Sequence, residues 1–102
     1  MTDIELKRKF AKRLTDLRQD RGLRQIDVAT AINVTRKSIS HYENMKREPD
    51  IYRLTQLADF FECTTDYLLG RSELKENLLD FAEKYGIDGL IRVAEQVSDK
   101  NP

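Results

Sequence analysis

This chain stops and restarts helices at short intervals, and the residues that do so stand in order along it. Gly22 sits where a left-handed helix cap belongs. Asn33, which tolerates positive φ, closes a second segment. Thr35 can cap a third with its hydroxyl, and Pro49 ends it. Asp50 can cap a fourth, and Thr64 or Thr65 a fifth that Gly70 closes. Such punctuation leaves room only for short helices packed on one another.

Apolar spacing agrees, with no alternating strand pattern. Phe10, Leu14 and Leu17 recur at i, i+4 and i+7, which predicts a first helix from about 6 to 20. A second, roughly 24–31, is expected to bury Ile26, Val28 or Ala29, and Ile32. The third, about 36–44, has only Ile39 and Tyr42 clearly inward. Leu54, Leu57, Ala58 and Phe61 stripe the fourth, about 51–61, and the fifth carries Tyr67, Leu68 and Leu69. Beyond Arg71 the pattern restarts. Leu74, Leu78, Phe81, Ala82 and Tyr85 line one helical face that Gly86 terminates. Leu90 or Ile91, Val93 or Ala94, and Val97 line another. Helices this short are marginal alone, so the tail must pack on the first five or on a second copy of the chain. The expected division is residues 1–71 and 72–102.

Charge divides the chain at the same place. Net charge is zero, but residues 1–72 hold 14 Lys/Arg against 11 Asp/Glu, a balance of +3. Residues 73–102 hold 4 against 7, a balance of −3. No apolar run approaches the roughly 18 residues of a membrane span, and MTDIELKRKF has no apolar stretch to make a secretory signal. A single cysteine, Cys63, excludes an internal disulfide and a cysteine-based zinc site, and points to a reducing, cytoplasmic setting. With one histidine, one cysteine and no Gly-rich phosphate loop, no catalytic constellation can be assembled. No metal or cofactor is expected.

The stretch NVTRKSISHYENMKREP, residues 33–49, sets several basic side chains around few apolar ones. Two short helices joined by a tight turn, the second with few buried residues, describe a helix-turn-helix. A helix that enters the major groove needs a narrow apolar anchor, here Ile39 and Tyr42. Arg36, Lys37, Ser40 and His41 then fall on the outward arc, towards the N-terminal half where base edges are met. Arginine and lysine suit the two acceptors of guanine.

Across about residues 8–69 the chain resembles the Xre/Cro and lambda-type phage-repressor helix-turn-helix family. The resemblance rests on the LR…G-L-x-Q opening, the hydroxyl before the third helix, Ile39, Tyr42-Glu43-Asn44, Lys46, Pro49 and the closing D-x-L-L. It implies an all-α, five-helix lambda-repressor-like domain followed by a short C-terminal helical segment. It implies Gln25 as a phosphate contact that braces the start of the reading helix. Thr35, Arg36, Lys37, Ser40 and His41 would face the groove. Asn44, Lys46 and Arg47 would meet the backbone beyond it. Arg18 and Glu43 match the family's internal ion pair, worth under about 1 kcal/mol if partly exposed. The family often has glycine where this chain has Asn33, Met45 and Glu62. A left-handed Met45 or Glu62 would cost on the order of 1 kcal/mol, so either these turns take other shapes or Met45 serves the contact surface.

The bland readings are a packing thiol at Cys63, a solvated face for the KRK run with Lys12 and Arg13, and core or interface for Phe81 and Tyr85. The expected function is a sequence-specific DNA-binding regulator, a repressor, acting on double-stranded DNA as a homodimer paired through the acidic tail. The alternative is an antitoxin or switch protein whose C-terminal helices hold a protein partner.

Overall fold

The computed structural model describes residues 2–100, leaving out the side chains at 78, 87, 90 and 93–100. All regular structure among the described residues is helical: α1 Asp3–Asp20, α2 Gln25–Ala31, α3 Arg36–Glu43, α4 Ile51–Phe60, α5 Thr65–Leu68 and α6 Leu78–Lys100. The all-α architecture is as expected. Helix α1 begins a turn earlier than its apolar spacing predicts, because the Thr2 hydroxyl caps it by accepting from Glu5 N–H at 3.2 Å.

Each expected cap forms. Thr35, Asp50 and Thr64 side-chain oxygens accept from the amides of Ser38, Arg53 and Tyr67 at 3.1, 2.7 and 3.0 Å. Gly22 and Gly70 take positive φ at the helix ends. So do Asn33 (57°), Met45 (62°) and Glu62 (54°): these turns take the left-handed shape that favours glycine and hold it with side chains in place. Gly86, at φ 77° and ψ 173°, breaks α6 into two helical runs, as its sequence position predicts.

The core gathers Phe10, Leu14 and Leu17 of α1 with Val28, Ala29, Ile32, Ile39, Tyr42, Leu57, Ala58, Phe61 and Leu68. Helix α1 packs on α3 and α5, and α2 packs on α3. Leu54, Tyr67 and Leu69 lie at the core's edge. Ile26 corrects the expected α2 stripe, because it is exposed. It sits about a third of a turn from the mean direction of Val28, Ala29 and Ile32, too far to join them. Arg13 corrects another expectation: its side chain is only 19% exposed and does not belong to a solvated face. Cys63 packs against the core, where burial pushes its thiol pKa up and disfavours the thiolate.

In the C-terminal segment Leu74, Phe81 and Ala82 are half-buried, while Tyr85 and Ile91 are exposed, as is Leu79. The expectations for Leu78, Leu90, Val93, Ala94 and Val97 lie outside the described side chains. No helix among the described residues is long and apolar enough to cross a membrane.

Candidate nucleic-acid interface

The reading helix is aimed by the turn before it. After α2, Ile32 N–H donates to Val28 O at 3.2 Å and Val34 N–H to Ala29 O at 2.9 Å, with Asn33 left-handed between them. The chain thereby reverses within three residues and presents Thr35 as the cap of α3. Ile39 and Tyr42 are 0% and 5% exposed, and the Tyr42 ring meets Phe10 edge-on, with centroids 6.4 Å apart. With that strip anchored, Lys37 points directly away from it and Arg36, in the first turn about a quarter-turn from it, is exposed as well, while Ser40 and His41 are half-buried.

A polar chain ties the two ends of α3 to α1 and α2. The Glu43 carboxylate accepts from Arg18 Nε at 2.7 Å and Nη2 at 2.9 Å, a two-pronged pair. Arg18 Nη1 donates to Leu23 O at 2.8 Å, fastening the loop before α2. These side chains are 14% and 6% exposed, so the low worth of a partly exposed pair does not apply. Hydrogen bonding to Glu43 raises the Arg18 pKa further. Gln25 Nε2 donates to Glu43 Oε1 at 3.3 Å, while Gln25 Oε1 accepts from Arg36 Nη1 at 3.3 Å. Gln25 therefore spans from the end of α3 to its first residue. A guanidinium has five N–H donors, and this contact uses one of those on Arg36.

Past α3, Met45 at positive φ lets Lys46 N–H and Arg47 N–H both donate to His41 O, at 2.9 and 3.3 Å. The turn leaves Lys46 and Arg47 exposed. Asn44 is exposed, its side-chain amide donating to Ser40 O at 2.8 Å, so it caps the helix as well as facing solvent. The residues singled out by sequence for DNA contact thus lie on α3, at or just beyond its two ends, or at the start of α2, and Arg18 of α1 reaches Glu43 at the end of α3.

A profile of the helix-turn-helix family matches residues 14–68, more than half of the chain. The chain belongs to the Xre/Cro-type helix-turn-helix family. Within the family, it is similar to three proteins of Bacillus subtilis (strain 168). The HTH-type transcriptional regulator ImmR is 38% identical over 76 residues, 74% of this chain and 60% of that protein. The SPbeta prophage-derived uncharacterized HTH-type transcriptional regulator YonR is 37% identical over 59% of this chain and 56% of its own length. The HTH-type transcriptional regulator AnsR is 34% identical over 63% and 55%. The chain therefore spans little more than half the length of these relatives. No solved structure matches it significantly.

Two neighbours of the helix-turn-helix surface escaped the sequence reading. Arg24, exposed beside Gln25, is held by Asp27, whose carboxylate accepts from Arg24 N–H at 2.7 Å and Nη2 at 3.0 Å. An acid three residues after a helix start was the available signal. Tyr52, in the first turn of α4, is exposed with the Arg53 guanidinium 5.2 Å from its ring. Nothing in its spacing distinguishes it.

Proposed function

We propose that this chain is a sequence-specific DNA-binding transcriptional repressor that meets a two-fold symmetric operator as a homodimer. Residues 1–71 form the reading unit and residues 72–102 the pairing element. Arg36, Lys37, Ser40 and His41 read base edges in the major groove, with Thr35 at its lip. Gln25, Asn44, Lys46 and Arg47 position the duplex through its phosphates. Arg18 and Glu43 keep α3 at its angle. The protein works in the cytoplasm and carries out no catalysis. The observation that carries the reading is the division of α3, with Ile39 and Tyr42 buried and Arg36 and Lys37 exposed. The names of the relatives as transcriptional regulators support it.

A single helix covers few base pairs, so two copies on half-sites about one helical turn apart are required. Exposed Leu79, Tyr85 and Ile91 also favour a second reading, in which the C-terminal helices hold a different protein. Light scattering on the full chain separates the two: a dimer supports the homodimer, and a monomer the switch protein.

The test of reading uses duplexes selected from a random pool. Arg36→Ala or Lys37→Ala should weaken binding to the selected duplex by about 1–3 kcal/mol and to random duplex by much less. Equal losses on both reassign the two residues to phosphates. Removing Lys46 and Arg47 should instead lower the slope of log affinity against log salt by about 1 for each.

A further inference from the structure

The stretch between α5 and α6 has no regular structure, yet it is fastened to the first five helices at successive residues. Gly70 turns with φ 73°, so close to α1 that a Cβ there would stand 2.7 Å from Lys9 Cβ. Arg71 N–H donates to Asp66 O at 2.8 Å. Lys75 O accepts from Thr64 N–H at 2.8 Å, and Thr64 is itself the cap of α5. Between these points lies Arg13 of α1. Its guanidinium stacks 3.9 Å from the Tyr67 ring centre. Nη1 donates to Tyr67 O and Ser72 O, both at 3.3 Å, and Nη2 to the Glu73 carboxylate at 3.3 Å.

This constellation has a consequence for spacing. A free flexible linker of the same nine residues, 69–77, would let its ends wander by roughly 16 Å, about five base-pair steps. Two reading units joined through such linkers would accept many half-site separations. A fastened junction instead passes one distance from the pairing element to α3. Among the described residues, Arg13 is the one side chain that reaches α5 and both Ser72 and Glu73, and a planar fork with several donors serves all three while stacking on a ring.

We propose that Arg13 is a positioning residue that sets the half-site spacing, by clamping the junction to the first five helices. The inference rests on the homodimer reading above. Arg13 touches no base in it and leaves the affinity for one half-site alone.

The test uses full-length protein and a selected symmetric duplex, with base pairs inserted between its halves, beside a duplex holding a single half-site. For the wild type, five inserted base pairs turn the second half-site to the opposite face and should cost on the order of a hundredfold in affinity. In Arg13→Ala that penalty should shrink to about tenfold or less, with single-half-site affinity unchanged. Arg13→Lys keeps the stem and the charge, guards against misfolding, and should flatten the profile likewise. Amide exchange should quicken at Thr64 in both variants. A sharp wild-type profile that stays sharp in both variants overturns the spacing role, and so does rescue by lysine. A wild type that selects no paired site overturns the homodimer reading itself.

Discussion

The first five helices and α6 are both amphipathic, yet they differ in what they bury: the first five close a shared core and leave Ile26, Ile51 and Tyr52 outside it. Leu14, Val28, Ile39, Leu57 and Leu68 are all wholly buried by their own chain. In α6, Leu79 is 79% and Tyr85 58% exposed. One region closes a core within its own chain, and the other, on the homodimer reading, offers its exposed residues to a second copy. The largest effect that sharpens this contrast comes from inside the first region. Arg18→Ala leaves the Glu43 carboxylate, 6% exposed, with only Gln25 Nε2 donating to it and should cost about 3 kcal/mol in a denaturant titration. A loss below about 1 kcal/mol would place the pair with ordinary surface contacts.

The counterpart experiment breaks the second region. On the homodimer reading, Leu79→Glu puts a charge among the exposed apolar residues of α6 and should weaken self-association by about 1.5–3 kcal/mol, the worth of burying one leucine. Light scattering should show monomer where the parent is dimer, and the melting temperature should lose its concentration dependence. Stability of the monomer should move by no more than about 0.5 kcal/mol. A large loss at low protein concentration would mean that Leu79 serves its own chain.

What was legible in the sequence follows from range. Caps are local, so Thr35, Asp50 and Gly70 announced themselves, and Thr64 did as one of two adjacent hydroxyls. So did the α3 anchors, because i, i+3 spacing on a helix with only two apolar candidates leaves no choice. Ile26 misled because α2 is seven residues long, too short for periodicity to choose between adjacent faces. Arg13 misled because its partners lie 54 to 60 residues away, where no spacing rule reaches. The Gln25 bridge between Arg36 and Glu43 belongs to the same class: family register pointed at Gln25, but the bond to Arg36 exists only in three dimensions.

Left-handed turns mark where the first region bears strain. Glu62 holds φ 54° with an exposed side chain, a conformation costing an L-residue about 1 kcal/mol. Glu62→Gly removes that cost while giving the unfolded chain more freedom. The net gain should be about 0.5 kcal/mol, read as a higher denaturant midpoint. A lower midpoint would mean that the glutamate side chain compensates for its backbone.

The smallest effect is the most dependent on pH. The Asp27 carboxyl is held below its ordinary range, first by its hydrogen bond from the Arg24 side chain and then by the Arg24 amide. A group with a depressed folded pKa stabilises the fold above its unfolded value, about 3.9, and loses that contribution as pH falls through the folded value. Asp27→Asn should therefore melt slightly below the wild type at neutral pH, and the two curves should converge as pH drops under about 4. A gap that persists unchanged in acid would show that the residue works through the shape of its cap and not its charge. Because α2 belongs to the self-sufficient region, this loss should appear at any protein concentration, unlike that of Leu79→Glu.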